Sequence, residues 1–179
     1  MNDRRKTITN TNVLKKYAQI SMHHYFRAGE MAKAIVIYHT QFGNTEKIAK
    51  ALASGLAEQE VDVDCLKGED IQIENLTEYD LIAIGGPTHI WTLAQSMKVF
   101  LEKLERVAIK GKCDFAFDTK VQSWWAGSTE KNIEKRLKRV GMRIVKPYDS
   151  GIVTGREGAL KDGVELKFKQ IGKEIATLI

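Results

Sequence analysis

The sequence predicts an α/β domain, a three-layer sandwich in which helices cover both faces of a five-stranded parallel sheet. Short β-branched runs alternate with stretches of about 15 residues in which apolar side chains recur at helical spacing. The short runs are apolar nearly throughout, which is typical of parallel strands that are buried on both faces. This alternation implies right-handed crossovers and an open sheet.

Five strands follow one another from residue 33. Each is a short apolar or β-branched run: KAIVIY at 33–38, VDVDCL at 61–66, DLIAIG at 80–85, KCDFAF at 112–117 and RIVK at 143–146, which GIVT at 151–154 continues. Open parallel sheets bind their ligands at the carboxyl ends of such strands. The loops after the first, third and fourth strands are therefore the candidate functional segments.

Helices are predicted between and after these strands from their 3.6-residue periodicity. They lie at 45–59, 93–106, 129–140 and 163–178, with a weaker one at 75–79. In the last helix Val164, Phe168 and Ile171 fall on one face, which predicts a helix lying on the sheet.

The positive charge is concentrated at the amino terminus. The 179 residues carry a formal net charge of +5, of which +4 belongs to residues 1–30 and +1 to the remaining 149. We predict a basic extension over 1–30, either a short partner-docking helix or a frayed terminus, and a domain over 31–179. Because the domain is nearly neutral, nucleic acid is not an expected partner.

Composition also bears on the compartment. No stretch approaches the ~18 to 20 apolar residues of a membrane-spanning helix, and the amino terminus lacks the apolar core of a signal peptide. Cys65 and Cys113 each lie in a predicted strand, and their spacing is not that of a metal site or a redox motif. We interpret both as reduced thiols in the core. These features predict a cytoplasmic protein with no membrane partner.

The loop after the first strand has a composition suited to a phosphate group. It consists of Thr40, Gln41, Phe42, Gly43, Asn44 and Thr45. Gly43 permits the positive φ that curls a loop around an anion, and the free amides of a helix's first turn carry the positive end of its dipole. Thr40, Asn44 and Thr45 add side-chain donors. No lysine or arginine lies within the loop.

Two other kinds of nucleotide-binding site, and the phosphoacceptor site of signalling receivers, are excluded because the chain lacks their motifs. The chain contains neither the Walker pattern G-x-x-x-x-G-K-[ST] nor the dinucleotide pattern G-x-G-x-x-G. A signalling receiver needs an acidic pair after the first strand and an aspartate after the third. Tyr38-His39 and Gly85-Gly86-Pro87 stand at those places.

The loop resembles the flavodoxin phosphate loop, [ST]-x-T-G-x-T, which holds the monophosphate of FMN without a countercharge. The resemblance extends over nearly all of residues 31–179 and implies the flavodoxin-like strand order 2-1-3-4-5, with FMN as cofactor. The chain departs from the pattern at Phe42, which replaces the middle hydroxyl. Quinone reductases of the tryptophan-repressor-binding-protein type carry an aromatic residue there.

The loop after the third strand resembles the G-x-P-T-R-F-G segment of those reductases. The resemblance implies that it borders the reactive edge of the flavin through Pro87, Thr88, His89, Ile90 and Trp91. Trp91 either stacks on the ring or plugs the space between loop and helix. His89 is a solvated residue, a partner for quinone oxygens or a proton donor.

The loop at 117–127, after the fourth strand, resembles the flavodoxin segment that carries G-D-S and an aromatic cover. Asp118 and Thr119 correspond to D-S, and Trp124 is the predicted cover, with the adjacent Trp125 as its alternative. Adjacent tryptophans on a loop are costly to expose, so at least one should have a partner. That partner is a flavin or a protein surface.

Two functions follow from the resemblance. The first is an FMN-binding electron-transfer protein that carries low-potential electrons between redox partner proteins. The alternative is an FMN-dependent NAD(P)H:quinone oxidoreductase that acts on a small quinone-type acceptor. Typical flavodoxins are strongly acidic whereas this domain is nearly neutral, and the chain offers no separate NAD(P)H motif.

Overall fold

All of the strand pairs in the sheet are parallel, and they confirm the predicted topology. The computed structural model describes residues 31–88, 95–122 and 129–179. Six strands occur in these ranges: β1 (Lys33–Tyr38), β2 (Asp62–Lys67), β3 (Leu81–Pro87), β4 (Cys113–Val121), β5 (Arg143–Ile144) and β6 (Asp149–Val153). Their order is β2-β1-β3-β4-β5, and β6 pairs with β4.

The last predicted strand is divided into β5 and β6, which follow each other along the same edge of β4. β5 pairs with Cys113 and Asp114, and β6 pairs with β4 from Phe117 to Val121. Pro147 lies in the gap between them. Proline has no N–H to donate to a ladder, which accounts for the break.

Four α-helices lie within two residues of their predicted bounds. They are α1 (Asn44–Ala57), α2 (Gln95–Leu104), α3 (Thr129–Val140) and α4 (Val164–Ala176). Two short 3₁₀ segments, Gly68–Asp70 and Ile73–Glu78, take the place of the weaker predicted helix. Within the described ranges, no helix is both long enough and apolar enough to cross a membrane.

The sheet separates two hydrophobic cores. One lies under α1 and α4 and includes Leu52 and Phe168, and the other lies under α2 and α3 and includes Phe100 and Leu137. Ala32–Ile179 forms one compact unit. The predicted boundary after residue 30 stays a prediction, because residues 1–30 lie outside the described ranges.

Two glycines bring α1 and α4 into direct backbone contact. A Cβ at Gly55 would lie 1.9 Å from the carbonyl oxygen of Lys169, and a Cβ at Gly172 would lie 2.2 Å from that of Leu52. No other residue fits at either position without separating the helices. The last helix thereby fixes the position of α1, which starts at the phosphate loop.

Candidate cofactor site

A cleft of about 380 Å³ opens at the carboxyl ends of β1, β3 and β4. Eight of the predicted site residues line it: Thr40, Gln41, Phe42, Asn44, Thr45, Pro87, Thr88 and Thr119. These residues come from three segments that are far apart in the sequence. Parallel strands bring them together because their carboxyl ends share one edge of the sheet.

The phosphate loop has the backbone conformation that its glycine predicts. Gly43 has φ of 80°, and a Cβ there would meet no atom within 4 Å, so the space above the loop is open. Its N–H donates to Thr40 Oγ1 at 2.9 Å, and its carbonyl accepts the first helical bond, from Lys47 N, at 3.1 Å. The amides of residues 44–46 therefore have no carbonyl partner within α1. They form the positive end of the helix dipole.

A pair of buried hydroxyls joins the loop to β4. Thr45 Oγ1 and Thr119 Oγ1 lie 2.9 Å apart, and the two residues are 1% and 6% exposed. The pair has two protons and uses one of them for its own hydrogen bond. The second proton is left for an acceptor in the cleft.

The expected placement of Asp118 and Thr119 in a loop is wrong, because β4 continues to Val121. Asp118 pairs with Gly86 of β3 and with Ser150 of β6, so β4 still has a neighbouring strand on each edge at this position. The carboxylate of Asp118 is fully buried and accepts a hydrogen bond from Thr88 Oγ1. Asp118 therefore holds Thr88 in place from beneath the cleft.

A hairpin after β6 is attached to the phosphate loop. Val153 and Leu160 form an antiparallel bridge, and Thr154 N donates to Ala159 O at 2.9 Å. The side-chain Nδ2 of Asn44 donates to the carbonyl of Gly158 at 2.7 Å. One amide proton of Asn44 is thus used to hold the hairpin, and only the other is available to a ligand.

Sequence reasoning missed two cations at the cleft. Lys120 reaches it from β4 and Arg156 from the hairpin, and Val121 and Val153 also line it. Lys120 directly follows the predicted site residues Asp118 and Thr119. A fourth strand predicted to end a few residues later would have placed Lys120 at the cleft. Arg156 stands in a glycine-rich turn with no local signal of a ligand.

Four predicted contacts lie outside the described residues. They are His89, Ile90, Trp91 and Trp124, and the alternative Trp125 lies outside as well. The predicted aromatic cover of the flavin therefore stays a prediction.

A larger cavity, of about 970 Å³, lies between the 3₁₀ segments and α2. His39 lies at its wall with an edge-to-face contact to Phe100, and burial lowers the pKa of the imidazole. None of the predicted phosphate-loop residues lines this cavity. The smaller cleft is the better cofactor site, because helix amides and hydroxyls converge there.

Comparison with known proteins identifies the family. Residues 36–171 match the protein family described as "Flavodoxin". "Probable flavodoxin 1" of Bacillus subtilis is 36% identical over 84 residues, which are 45% of this chain and 52% of that protein. "NAD(P)H dehydrogenase (quinone)" of Caulobacter vibrioides is 29% identical over 140 residues, which are 64% of this chain and 70% of that protein.

Solved structures agree with this match. "Structure of a flavodoxin from the domain Archaea" is 26% identical, with a TM-score of 0.70, and the match covers 81% of this chain and 96% of that one. The match to the Bacillus subtilis protein spans only about half of its length.

The cofactor of this family is FMN, and the cleft fits it. Positive φ at Gly43 leaves open space above the loop, the first-turn amides of α1 lack helical partners, and the Thr45–Thr119 pair has a proton to donate. These are the groups that a phosphate monoester needs. The chain belongs to the flavodoxin family, and it binds FMN.

Proposed function

We infer that the protein is an electron carrier that passes electrons between redox partner proteins through FMN. The observation that carries this proposal is the apolar rim of the cleft. Phe42 is 42% exposed and Val121 is 38% exposed, and both line the cleft. Exposed apolar groups at the mouth of a cofactor site suit a small, transient interface with a redox protein.

The chain's own residues bind and orient the cofactor, while bound FMN supplies the electron transfer. In this proposal the amides of residues 44–46 and the Thr45 hydroxyl bind the phosphate. Pro87 and Thr88 border the ring, and Asp118 keeps Thr88 oriented. The aromatic cover predicted for Trp91 and Trp124, which lie outside the described residues, would exclude water from the ring.

The predicted low potential depends on that aromatic cover. Lys120 and Arg156 act against it, since a cation near the cofactor stabilises the negative charge gained on reduction. We expect the cover to dominate, because the two cations line the cleft from β4 and from the hairpin, and not from the segment at Pro87 and Thr88 that borders the ring. A redox titration of the FMN-loaded protein tests this, and a potential no lower than that of free FMN would contradict it.

The second candidate is an FMN-dependent NAD(P)H:quinone oxidoreductase with a small quinone-type acceptor. The match to the Caulobacter vibrioides quinone dehydrogenase supports it, because that protein is 29% identical over 140 residues, which are 70% of its own length. Phe42 and the Pro87-Thr88 pair also follow the pattern of those enzymes.

One experiment separates the two functions. The protein is mixed with FMN and desalted, its flavin absorption bands are recorded, and NADPH is added without oxygen. A carrier keeps its flavin oxidised until a protein donor is supplied. Rapid bleaching by NADPH, followed by recovery when a quinone is added, would instead establish the reductase. Loss of the flavin on desalting would contradict both functions.

A further inference from the structure

The phosphate loop contains no basic residue, yet a cation lines the cleft from another part of the chain. Arg156 shares the cleft with Thr40, Gln41 and Asn44 of the loop. A phosphate monoester carries close to two negative charges at neutral pH. Helix amides offer it only a partial positive charge, so a full countercharge would add to binding.

The position of Arg156 is held by the hairpin around it. Thr154 N donates to Ala159 O at 2.9 Å and Gly158 N donates to Gly155 O at 3.1 Å, so the turn closes on both sides of the arginine. Asn44, the first residue of α1, donates to Gly158 O at 2.7 Å and fastens this turn to the phosphate loop. The turn and the loop therefore keep their relative positions.

Arg156 is also available for a ligand. Among the described residues it makes no ion pair, although Glu157 is its neighbour in the chain. Nearby cations are already in use: Lys161 donates to Gln122, and Lys167 pairs with Asp149. Among these three described cations, Arg156 is therefore the one that a phosphate can bind without breaking an existing hydrogen bond or ion pair.

We propose that Arg156 binds the phosphate of FMN and supplies the countercharge that residues 40–45 lack. The planar guanidinium can donate two parallel hydrogen bonds to phosphate oxygens, which an ammonium group cannot do. The proposal rests on the same cofactor site as the proposed function and applies to the carrier and the reductase alike.

The test compares Arg156→Gln with a matched variant, Arg139→Gln. Arg139 is an exposed arginine of α3 that lines a different cavity. Dissociation constants for FMN and for riboflavin, which lacks the phosphate, are measured by quenching of flavin fluorescence at low and high salt. Circular dichroism verifies that each variant is folded.

We expect Arg156→Gln to weaken FMN binding about tenfold or more and to change riboflavin binding by less than about twofold. The salt dependence of FMN binding should become shallower, because one charge–charge interaction is lost. Arg139→Gln should bind as the unaltered protein does, and Arg156→Lys should recover part of the loss.

Two results would overturn the proposal. Unchanged FMN affinity in Arg156→Gln would mean that the arginine does not reach the phosphate. An equal loss for FMN and riboflavin would mean that it acts only on the structure of the hairpin. In both cases the unaltered protein still binds FMN, so the proposed function stands. An unaltered protein that holds neither flavin would contradict the proposed function as well.

Discussion

The two ends of β4 bury polar side chains differently. At the carboxyl end, one carboxylate oxygen of Asp118 accepts a hydrogen bond from Thr88, and Thr119 shares a hydrogen bond with Thr45. At the amino end, Asp114 is fully buried, and neither of its carboxylate oxygens has a hydrogen-bond partner in the described part of the chain. Burial raises the pKa of Asp114 to about 7, and the nearby Glu134 adds to the effect.

The polar groups at the carboxyl end of β4 serve the cofactor site, whereas Asp114 at the amino end affects only stability. Buried polar groups with partners cost little, and at the carboxyl end they hold the loop, Thr88 and β4 in one arrangement around the cofactor. A buried carboxyl group without partners is destabilising once it ionises. The sheet therefore supports its cofactor site at one end and has a weak point at the other.

Asp114→Asn tests the weak point and has the largest expected effect. The folded-state pKa is about 7, well above the ordinary 3.8, so the folded protein holds a proton that the unfolded chain releases. The stability associated with this proton is complete below about pH 4 and is lost as pH rises to about 7. The loss is on the order of 4 kcal/mol. Asn cannot ionise, so the variant should gain stability over the wild type across this window.

This gain is measured by urea unfolding at about pH 4.5, 6 and 8, as the difference in the free energy of unfolding between the variant and the wild type. Glu102→Gln, at an exposed position of α2, is the control and should show no such trend. A difference for Asp114→Asn that stays constant with pH would mean that the carboxyl group already has a partner.

A pair of glycine variants compares the two ends of the sheet directly. Gly43 lies in the phosphate loop, and Gly111 lies just before β4 at the opposite end. Both have positive φ, at 80° and 85°, and a Cβ at either position would meet nothing within 4 Å. Alanine at each should cost about 1–2 kcal/mol of stability, because L-residues are strained in this region.

Only Gly43→Ala should also weaken FMN binding, by about tenfold, because only this strain displaces the phosphate-binding amides. Thermal unfolding and an FMN titration of both variants provide the two measurements. If Gly111→Ala lost FMN to the same degree, the site would depend on the whole fold rather than on the loop.

The hydroxyl pair provides the smallest of the three effects. Thr45→Val and Thr119→Val each leave the other hydroxyl buried without its partner, at a cost of about 1 kcal/mol. The double variant should cost less than the two single variants together, because no unpaired hydroxyl remains. Additive costs in a double-mutant cycle would show that the two hydroxyls do not support each other.

Much of the fold was predictable from the sequence because it depends on local patterns. Apolar runs and helical periodicity are properties of short windows, and they predicted the parallel strands and the four helices. The strand order was implied by the resemblance to flavodoxins. The phosphate loop was equally local, since Gly43 and the start of α1 lie next to each other in the chain.

The remaining features depend on contacts between distant segments. β4 continues to Thr119 between β3 and β6 and then to Val121 beside β6 alone, and no pattern within residues 118–121 indicates this. Arg156 reaches the cleft because Asn44 bonds to Gly158, which lies 114 residues away. Asp114 lies in an apolar strand, where its lack of a partner depends on which helix covers it.

The contact between Gly55 and Gly172 has a consequence for the biogenesis of the protein. The phosphate loop is synthesised early, but the helix that starts from it settles on a surface that α4 completes. On the ribosome, a nascent chain without α4 has the loop and lacks the support that holds its amides in place. FMN loading is therefore expected only after α4 has been synthesised and has packed on α1, and FMN is expected to act on the assembled domain rather than as a nucleus for its folding.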